Sequence, residues 1–164
     1  MCEIRLAGPS DVPAIMKYIN ALAIYEKALH EVQCTEEHLS KSLFCENPAV
    51  FAHVAIDTED ADRPIVGIAV WFLNYSTWTG THGIYLEDLY VDEANRNRGF
   101  GLSLLSELAK VCIAKGYRRL QWSCLDWNEP SIKFYKSLGA EVLDEWTGYR
   151  MNWGPAMEAL AKMK

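Results

Sequence analysis

A carboxylate pair, Glu87-Asp88, sits inside an otherwise apolar run from Leu86 to Val91, and the chain then turns through Arg96-Asn97-Arg98-Gly99-Phe100-Gly101. A carboxylate carried by a strand can take a proton from a neighbouring group. Glycines in a strand-to-helix turn let an anion approach backbone N–H groups where a Cβ would block it. Strand, glycine turn and helix together read as a cradle for phosphate groups, here a pyrophosphate. No Gly-Lys-Ser/Thr follows the glycines, and the third glycine of a dinucleotide fingerprint is missing, so neither nucleotide pattern applies. The plainer reading of the glycines is a tight turn at a helix start, and that of Glu87 is a strand carboxylate paired with Arg or Lys. Strand alternation points Asp88 away from Glu87 and leaves one of the pair to line a cleft, an argument that a bulge would disturb.

The elements that must position these residues follow from periodicity. Glu3 to Ala7 alternates as a first strand, and Gly8-Pro9 stops it. Ser10 reads as the N-cap of a helix running to about Glu26, with Val12, Ile15, Ile19, Leu22 and Ala23 on its apolar face. Thr35 caps a short second helix that ends near Phe44. Val50 to Ile56 and Ile65 to Tyr75 are strands joined across the acidic loop Asp57 to Pro64. The strand carrying Glu87 comes next, then a helix from about Gly99 to Lys115 with Leu102, Leu105, Leu108, Ala109 and Cys112 at helical spacing. Leu120 to Leu125 reads as a strand, Pro130 to Leu138 as a helix, Glu141 to Trp153 as two short strands turning near Gly148, and Gly154 to Lys164 as an amphipathic helical tail that docks on its own domain or a partner subunit. The sum is one α+β domain over residues 1–164, a mixed, mostly antiparallel sheet of six to seven strands flanked by about four helices.

Half of the 164 residues are hydrophobic and 23% are charged, the composition of a soluble globular chain. No apolar run reaches the length of a membrane span, and the first residues lack a signal pattern, so a cytoplasmic protein with no membrane partner is expected. The five cysteines are widely spaced without a C-x-x-C pair, which suggests free thiols. His30, His38, His53 and His82 have no ligand spacing, so no metal is expected. A net charge of −6 disfavours nucleic acid and suits a cationic substrate, although mild acidity also serves solubility.

The run Asn128-Glu129-Pro130-Ser131-Ile132-Lys133-Phe134-Tyr135-Lys136-Ser137-Leu138-Gly139 has the form N-x-x-[AS]-x-x-x-Y-x-x-x-G. Together with Leu86-Glu87-Asp88 and the R-x-x-G-x-G turn it resembles the GNAT family of N-acetyltransferases. Tyr25-Glu26, Tyr85 to Asp88, Arg96 with its glycines, and Trp127-Asn128-Glu129-Pro130-Ser131-Ile132 through Lys136 are similar, over nearly the whole chain, to the diamine (spermidine/spermine) acetyltransferases and their relatives that acetylate thialysine. The resemblance implies acetyl-CoA as co-substrate, a homodimer, and direct acetyl transfer to a primary amine of a small cation within a ternary complex.

It also implies roles. A protonated amine has no lone pair, and its free pKa of about 10 leaves little neutral base at pH 7. Glu87 is the expected general base, directly or through a water, and Tyr135 the acid that protonates the departing thiolate. Ile132, Tyr135 and Leu138 also form a helical stripe that would serve as core, and Phe134 is read as packing. Main-chain groups of Leu89, Tyr90 and Val91 would serve the acetyl carbonyl and pantetheine arm. Asn97, Gly99, Phe100, Gly101 and Leu102 would hold the pyrophosphate through their backbone, with Arg96 or Arg98 adding charge, and Asn128, Pro130, Ser131 and Tyr135 would hold the other side of the cofactor. Tyr25, Glu26 and Glu87 would receive the amine, with Trp78 as an aromatic wall for an alkylammonium chain; a solvated helix end and a sheet aromatic are the plainer readings of Glu26 and Trp78. The spermidine enzymes carry paired acids before a Gly-Trp-Arg, where this chain has Trp146-Thr147-Gly148-Tyr149-Arg150; the loss of one substrate carboxylate favours a shorter amine or a lysine-like amino acid. The competing expectations are a non-catalytic acyl-CoA-binding module, which needs neither Glu87 nor Tyr135, and an acetyltransferase of protein amino groups, which needs an open cleft.

Overall fold

Four β-branched and aromatic segments pair in chain order, and this fixes the architecture. In the computed structural model, which describes residues 1–163, β1 (Cys2–Leu6), β2 (Val50–Asp57), β3 (Ile65–Ser76) and β4 (Thr81–Val91) form an antiparallel meander. β5 (Leu120–Trp122) then adds in parallel to β4, giving the order β1-β2-β3-β4-β5. The mixed, mostly antiparallel α+β sheet is as expected from the sequence, but it has five strands among the described residues rather than six to seven.

The helices are α1 (Val12–Tyr25), α2 (Glu36–Leu43), α3 (Phe100–Lys115), α4 (Glu129–Ser137) and α5 (Pro155–Ala161). The chain divides into two compact units, Met1–Ser123 and Cys124–Lys164. In the first, α1 and α2 bury Val12, Ile15, Met16, Tyr18, Leu39 and Leu43 against Ala52, Val54, Ile68, Val70 and Tyr90 on one sheet face. Burying side chains of this size removes about 2 kcal/mol each from water, which makes this layer the main source of cohesion. The Tyr18 hydroxyl donates to the Ile65 carbonyl at 2.6 Å, so its polar end is satisfied where it enters the core. On the other face, α3 buries Phe100, Leu104, Leu105, Leu108 and Cys112, and a Cβ on Gly67 of β3 would come within 3.5 Å of Leu104.

Several local expectations are corrected. Ser10 does not cap α1; Pro9–Asp11 forms a 3-10 turn, in which the Asp11 carboxylate accepts the Gly8 N–H at 2.7 Å and pairs with Arg5 at 2.6 Å. A carboxylate satisfied from both sides holds the β1–α1 corner better than a hydroxyl would. Thr35 does cap α2, accepting the His38 N–H. Of the stripe expected on α3, Leu105, Leu108 and Cys112 are buried, but Leu102, in the first turn of the helix, is exposed while Leu104 is buried. The strand at Leu120 ends at Trp122 rather than Leu125.

In the second unit α4 and α5 form, but Glu141 to Trp153 makes no strand. Every residue from 141 to 153 is exposed, so its alternating apolar side chains have no layer to bury against and its backbone joins no ladder. Period-2 patterning produces a strand only where a neighbour takes the hydrogen bonds. α5 is likewise largely exposed, and Lys164, included in the expected tail, lies outside the described residues.

Candidate active site

The ladder between β3 and β4 slips at one residue. Leu86 faces Trp71 and Asp88 faces Val70, leaving Glu87 as the extra residue of a β-bulge. Glu87 is exposed, and the apolar residue before it, Leu86, is buried. On its other side β4 pairs with β5 only from Ile84 to Leu86. From Glu87 to Val91 that edge of β4 has no strand partner among the described residues, so Leu89, Tyr90 and Val91 offer a strand edge to an extended ligand.

The bulge also changes the reading of Asp88. Paired with Val70, it lies on the sheet face that α1 covers, half-buried. Burial, then the negative charges of Glu87 and Glu26, push its carboxyl up to about 6. Glu26 is the C-cap residue of α1, and burial raises its carboxyl too. Three carboxylates, Glu26, Glu87 and Asp88, thus share one region of negative potential. Such a region favours a bound cation and repels a bound anion. Tyr25 is the last residue of α1 and belongs to the same end. Sequence alternation alone had turned Asp88 away from the cleft, and no sequence signal marks a bulge.

β4 leads through a 3-10 turn, Glu93–Asn95, into the glycine turn. Asn97 (φ 62°) and Gly99 (φ 86°) both take left-handed backbone, the alternation that turns successive N–H groups toward one side. α3 begins at Phe100, and the Ser103 N–H bonds back to the Gly99 carbonyl. The N–H groups of Phe100, Gly101 and Leu102, in the first turn of a 16-residue helix, precede the first intrahelical bond. The residues present therefore fit a diphosphate: glycine and backbone donors, with no aliphatic side chain closing the turn. The Phe100 ring is buried, so only its backbone is available.

The two arginines of the turn are engaged elsewhere. Arg96 donates from Nε to the Val91 carbonyl at 3.2 Å, lies 5.2 Å above the Tyr25 ring and 5.5 Å above Tyr90, and pairs with Glu93. It ties the end of α1 to the end of β4. Arg98 is bidentate to Asp57, at 2.6 and 3.1 Å, and bonds to Glu59 at 3.0 Å and Asn95 at 2.7 Å. Asp57, which ends β2, and Glu59 belong to the stretch that the sequence presented only as an acidic connection between strands.

Trp78 stands at the tip of the β3–β4 hairpin, 90% exposed. The last residues of β3, Leu73 to Ser76, run past the end of β2 and pair with β4 alone. Six residues of strand separate Thr81 from Glu87, about 20 Å at strand rise, so the hairpin tip is not brought beside Glu87 within this chain.

In the second unit, Asn128 is buried and caps α4 by accepting the Ser131 N–H at 3.4 Å, with Pro130 in the first turn. Tyr135 is half-buried, its ring 5.4 Å from Phe134, and Gly139 ends the helix in left-handed backbone. α4 buries none of its side chains fully, so the stripe of Ile132, Tyr135 and Leu138 is not a closed core. Among the described residues no group of His, Cys, Asp or Glu is arranged to hold a metal ion, and no helix is long and apolar enough to cross a membrane.

A strand with a bulged carboxylate, an open edge and a glycine turn into a helix has the build of a site for an extended, anionic ligand. The acetyltransferase (GNAT) family model matches residues 20–140. A thialysine N-epsilon-acetyltransferase of Mus musculus is 38% identical, covering 97% of this chain and 96% of its own. An L-ornithine N5-acetyltransferase of Arabidopsis thaliana is 31% identical, with 98% of this chain and 88% of the relative covered. Among solved structures, an integron cassette protein from the mobile metagenome of V. cholerae superposes with a TM-score of 0.76 at 26% identity, covering 99% of this chain and 98% of that one. The chain belongs to the acetyltransferase (GNAT) family, and it is an acetyltransferase enzyme.

Proposed function

We propose that this protein is an acetyl-CoA-dependent N-acetyltransferase that modifies a primary amine of a small cation, a polyamine or diamine or a thialysine- or lysine-like amino acid, by direct attack in a ternary complex. The observation that carries the reading is the build of β4. One strand holds Glu87 at a bulge, leaves its following edge open, and runs directly into a turn that presents backbone N–H groups. Acetyl-CoA supplies the activated acyl group when bound. Gly99, Gly101 and the first amides of α3 would hold its pyrophosphate, and Leu89 to Val91 its pantetheine arm. Glu87, exposed at the bulge, takes the proton of the ammonium, directly or through a water. Tyr135 gives a proton to the leaving thiolate; its role rests on the motif from Asn128 to Gly139. Asn128 and Ser131 hold that motif's helix start.

The amine side is supported by Tyr25, Glu26, Glu87 and the carboxylate cluster, and Trp78 remains a candidate aromatic wall. Relatives that act on thialysine and on L-ornithine, together with Trp146-Thr147 in place of acids directly before Gly148-Tyr149-Arg150, favour an amino-acid acceptor over spermidine. A thiol-release assay with acetyl-CoA and a panel of thialysine, ornithine, lysine, putrescine and spermidine tests this. Turnover with the amino acids at least tenfold above spermidine is expected. No thiol release with any amine, together with acetyl-CoA binding, would point instead to a non-catalytic acyl-CoA-binding module. Release only with peptide substrates would point to protein amino groups.

We further propose a cytosolic homodimer. The exposed apolar side chains of Val142, Leu143, Trp146, Tyr149 and Trp153 support self-association, since isolated chains rarely leave such a stretch uncovered. Light scattering on the purified chain tests it, a monomer at micromolar concentration being the adverse result.

A further inference from the structure

We propose that Asp57 is a positioning residue for the anion-binding turn, acting through Arg98; the inference rests on the acetyl-CoA reading above. The turn from Arg96 to Gly99 lacks the repeating hydrogen bonds of a strand or helix, and two of its residues, Asn97 and Gly99, hold left-handed backbone on either side of Arg98. The Arg96 side chain holds the start of the turn to β4, and the Arg98 side chain ties the rest to the end of β2. Its guanidinium meets both oxygens of Asp57, reaches Glu59 and Asn95, and lies 5.1 Å from the centre of the Phe100 ring.

Asp57 is itself anchored. It is the last residue of β2, 5% exposed, its N–H bonds to the Pro64 carbonyl, and one carboxylate oxygen accepts the Glu59 N–H at 3.1 Å. A continuous path of bonds therefore runs from the sheet through Asp57 and Arg98 to the turn.

Charge supports the same conclusion. Two carboxylates face one guanidinium, so the group carries no positive surplus toward a phosphate. A planar donor already saturated by a bidentate partner has few N–H groups left to offer. Arg98 is thus a strut, and the phosphates are held by backbone amides whose directions the strut sets. Amides fixed before binding lose little order on binding, which is where the affinity gain arises.

The two roles for Arg98 predict opposite signs. If Arg98 were a phosphate ligand restrained by its acids, removing an acid would free its charge and tighten acetyl-CoA. If it is a strut, removing an acid lets the turn drift and weakens acetyl-CoA, by about tenfold given how steeply binding falls with misplacement. The test is calorimetric titration of the full chain with acetyl-CoA, with steady-state kinetics alongside. Asp57→Asn should raise the acetyl-CoA Kd about tenfold and leave the KM for the amine unchanged at saturating acetyl-CoA, and Asp57→Glu should recover most of the loss. Glu59→Gln, a change on an exposed loop that leaves β2 intact, should weaken binding about threefold and serves if Asp57→Asn does not fold. Unchanged or tighter binding in Glu59→Gln, or in folded Asp57→Asn, overturns the strut. Failure of the unaltered chain to bind acetyl-CoA overturns the cofactor reading, and this inference with it.

Discussion

Replacing Asp88 by Asn should stabilise the free protein at neutral pH. Asp88 is half-buried and faces Glu26 and Glu87, and its carboxyl is pushed from the ordinary 3.8 up to about 6. A raised carboxyl means that the folded state holds its proton more tightly than the unfolded chain does. Stability from this group is then full below about 3.8 and is lost as pH rises to about 6. At about 1.4 kcal/mol per tenfold change in the proton equilibrium, the loss above pH 6 is about 2–3 kcal/mol. Asn removes the charge and keeps the shape, so Asp88→Asn should gain that amount at pH 7.5 and almost none at pH 4. Urea unfolding at the two pH values measures it, and in a chain of this size the gain corresponds to a melting point about 5 °C higher or more. A cationic amine bound at the cluster offsets the same repulsion. It should therefore raise the melting point of the unaltered protein more than that of the variant. An Asp88→Asn variant no more stable than the unaltered protein at pH 7.5, or one whose gain is equal at both pH values, would refute the reasoning.

Three further outcomes follow from the geometry. Glu87→Gln and Tyr135→Phe should each lower kcat by about 10²-fold or more with the acetyl-CoA Kd unchanged, the scale for a positioned base or acid; unchanged turnover removes the residue from the mechanism. Arg96→Gln ends the stacking on Tyr25 and Tyr90 and should raise the KM for the amine about threefold to tenfold by loosening the end of α1, since stacked guanidinium pairs contribute about 1 kcal/mol; an effect confined to acetyl-CoA would argue for a phosphate contact instead. Asp11→Asn should destabilise by about 2 kcal/mol at pH 7, because a buried carboxylate loses its charge-assisted bonds to Arg5 and Gly8. Hydrogen bonding from Arg5 lowers the Asp11 carboxyl, so this contribution is present above the ordinary 3.8 and disappears as pH falls below it, opposite in sign to Asp88.

Local patterns made much of this molecule legible. The β-branched and aromatic runs over 50–56 and 65–75, the apolar run from Leu86 to Val91, the cap at Thr35 and the glycine turn each depend on neighbours in sequence, and each appears close to where the pattern put it. Glu87 stood out because it interrupts an apolar strand before a glycine turn, and the family resemblance, carried by the contiguous motif from Asn128 to Gly139, named it as the candidate base. On α3 the stripe placed Leu105, Leu108 and Cys112 correctly, but the exposure of Leu102 in the first turn and the burial of Leu104 were not legible, since they depend on what packs against each turn of the helix.

The sequence by itself determined the class of fold and the family, because these follow from short-range periodicity and from motifs contiguous in the chain. Only the tertiary structure decided three matters. A one-residue slip against β3 made Glu87 a bulge and turned Asp88 toward Glu26, because register belongs to a pair of strands. Asp57, 41 positions before Arg98, took the charge that the turn's sequence offered to phosphate, because ion pairs form across space. Residues 141 to 153 remained unpaired despite a strand pattern, because a strand needs a partner that its own sequence cannot supply.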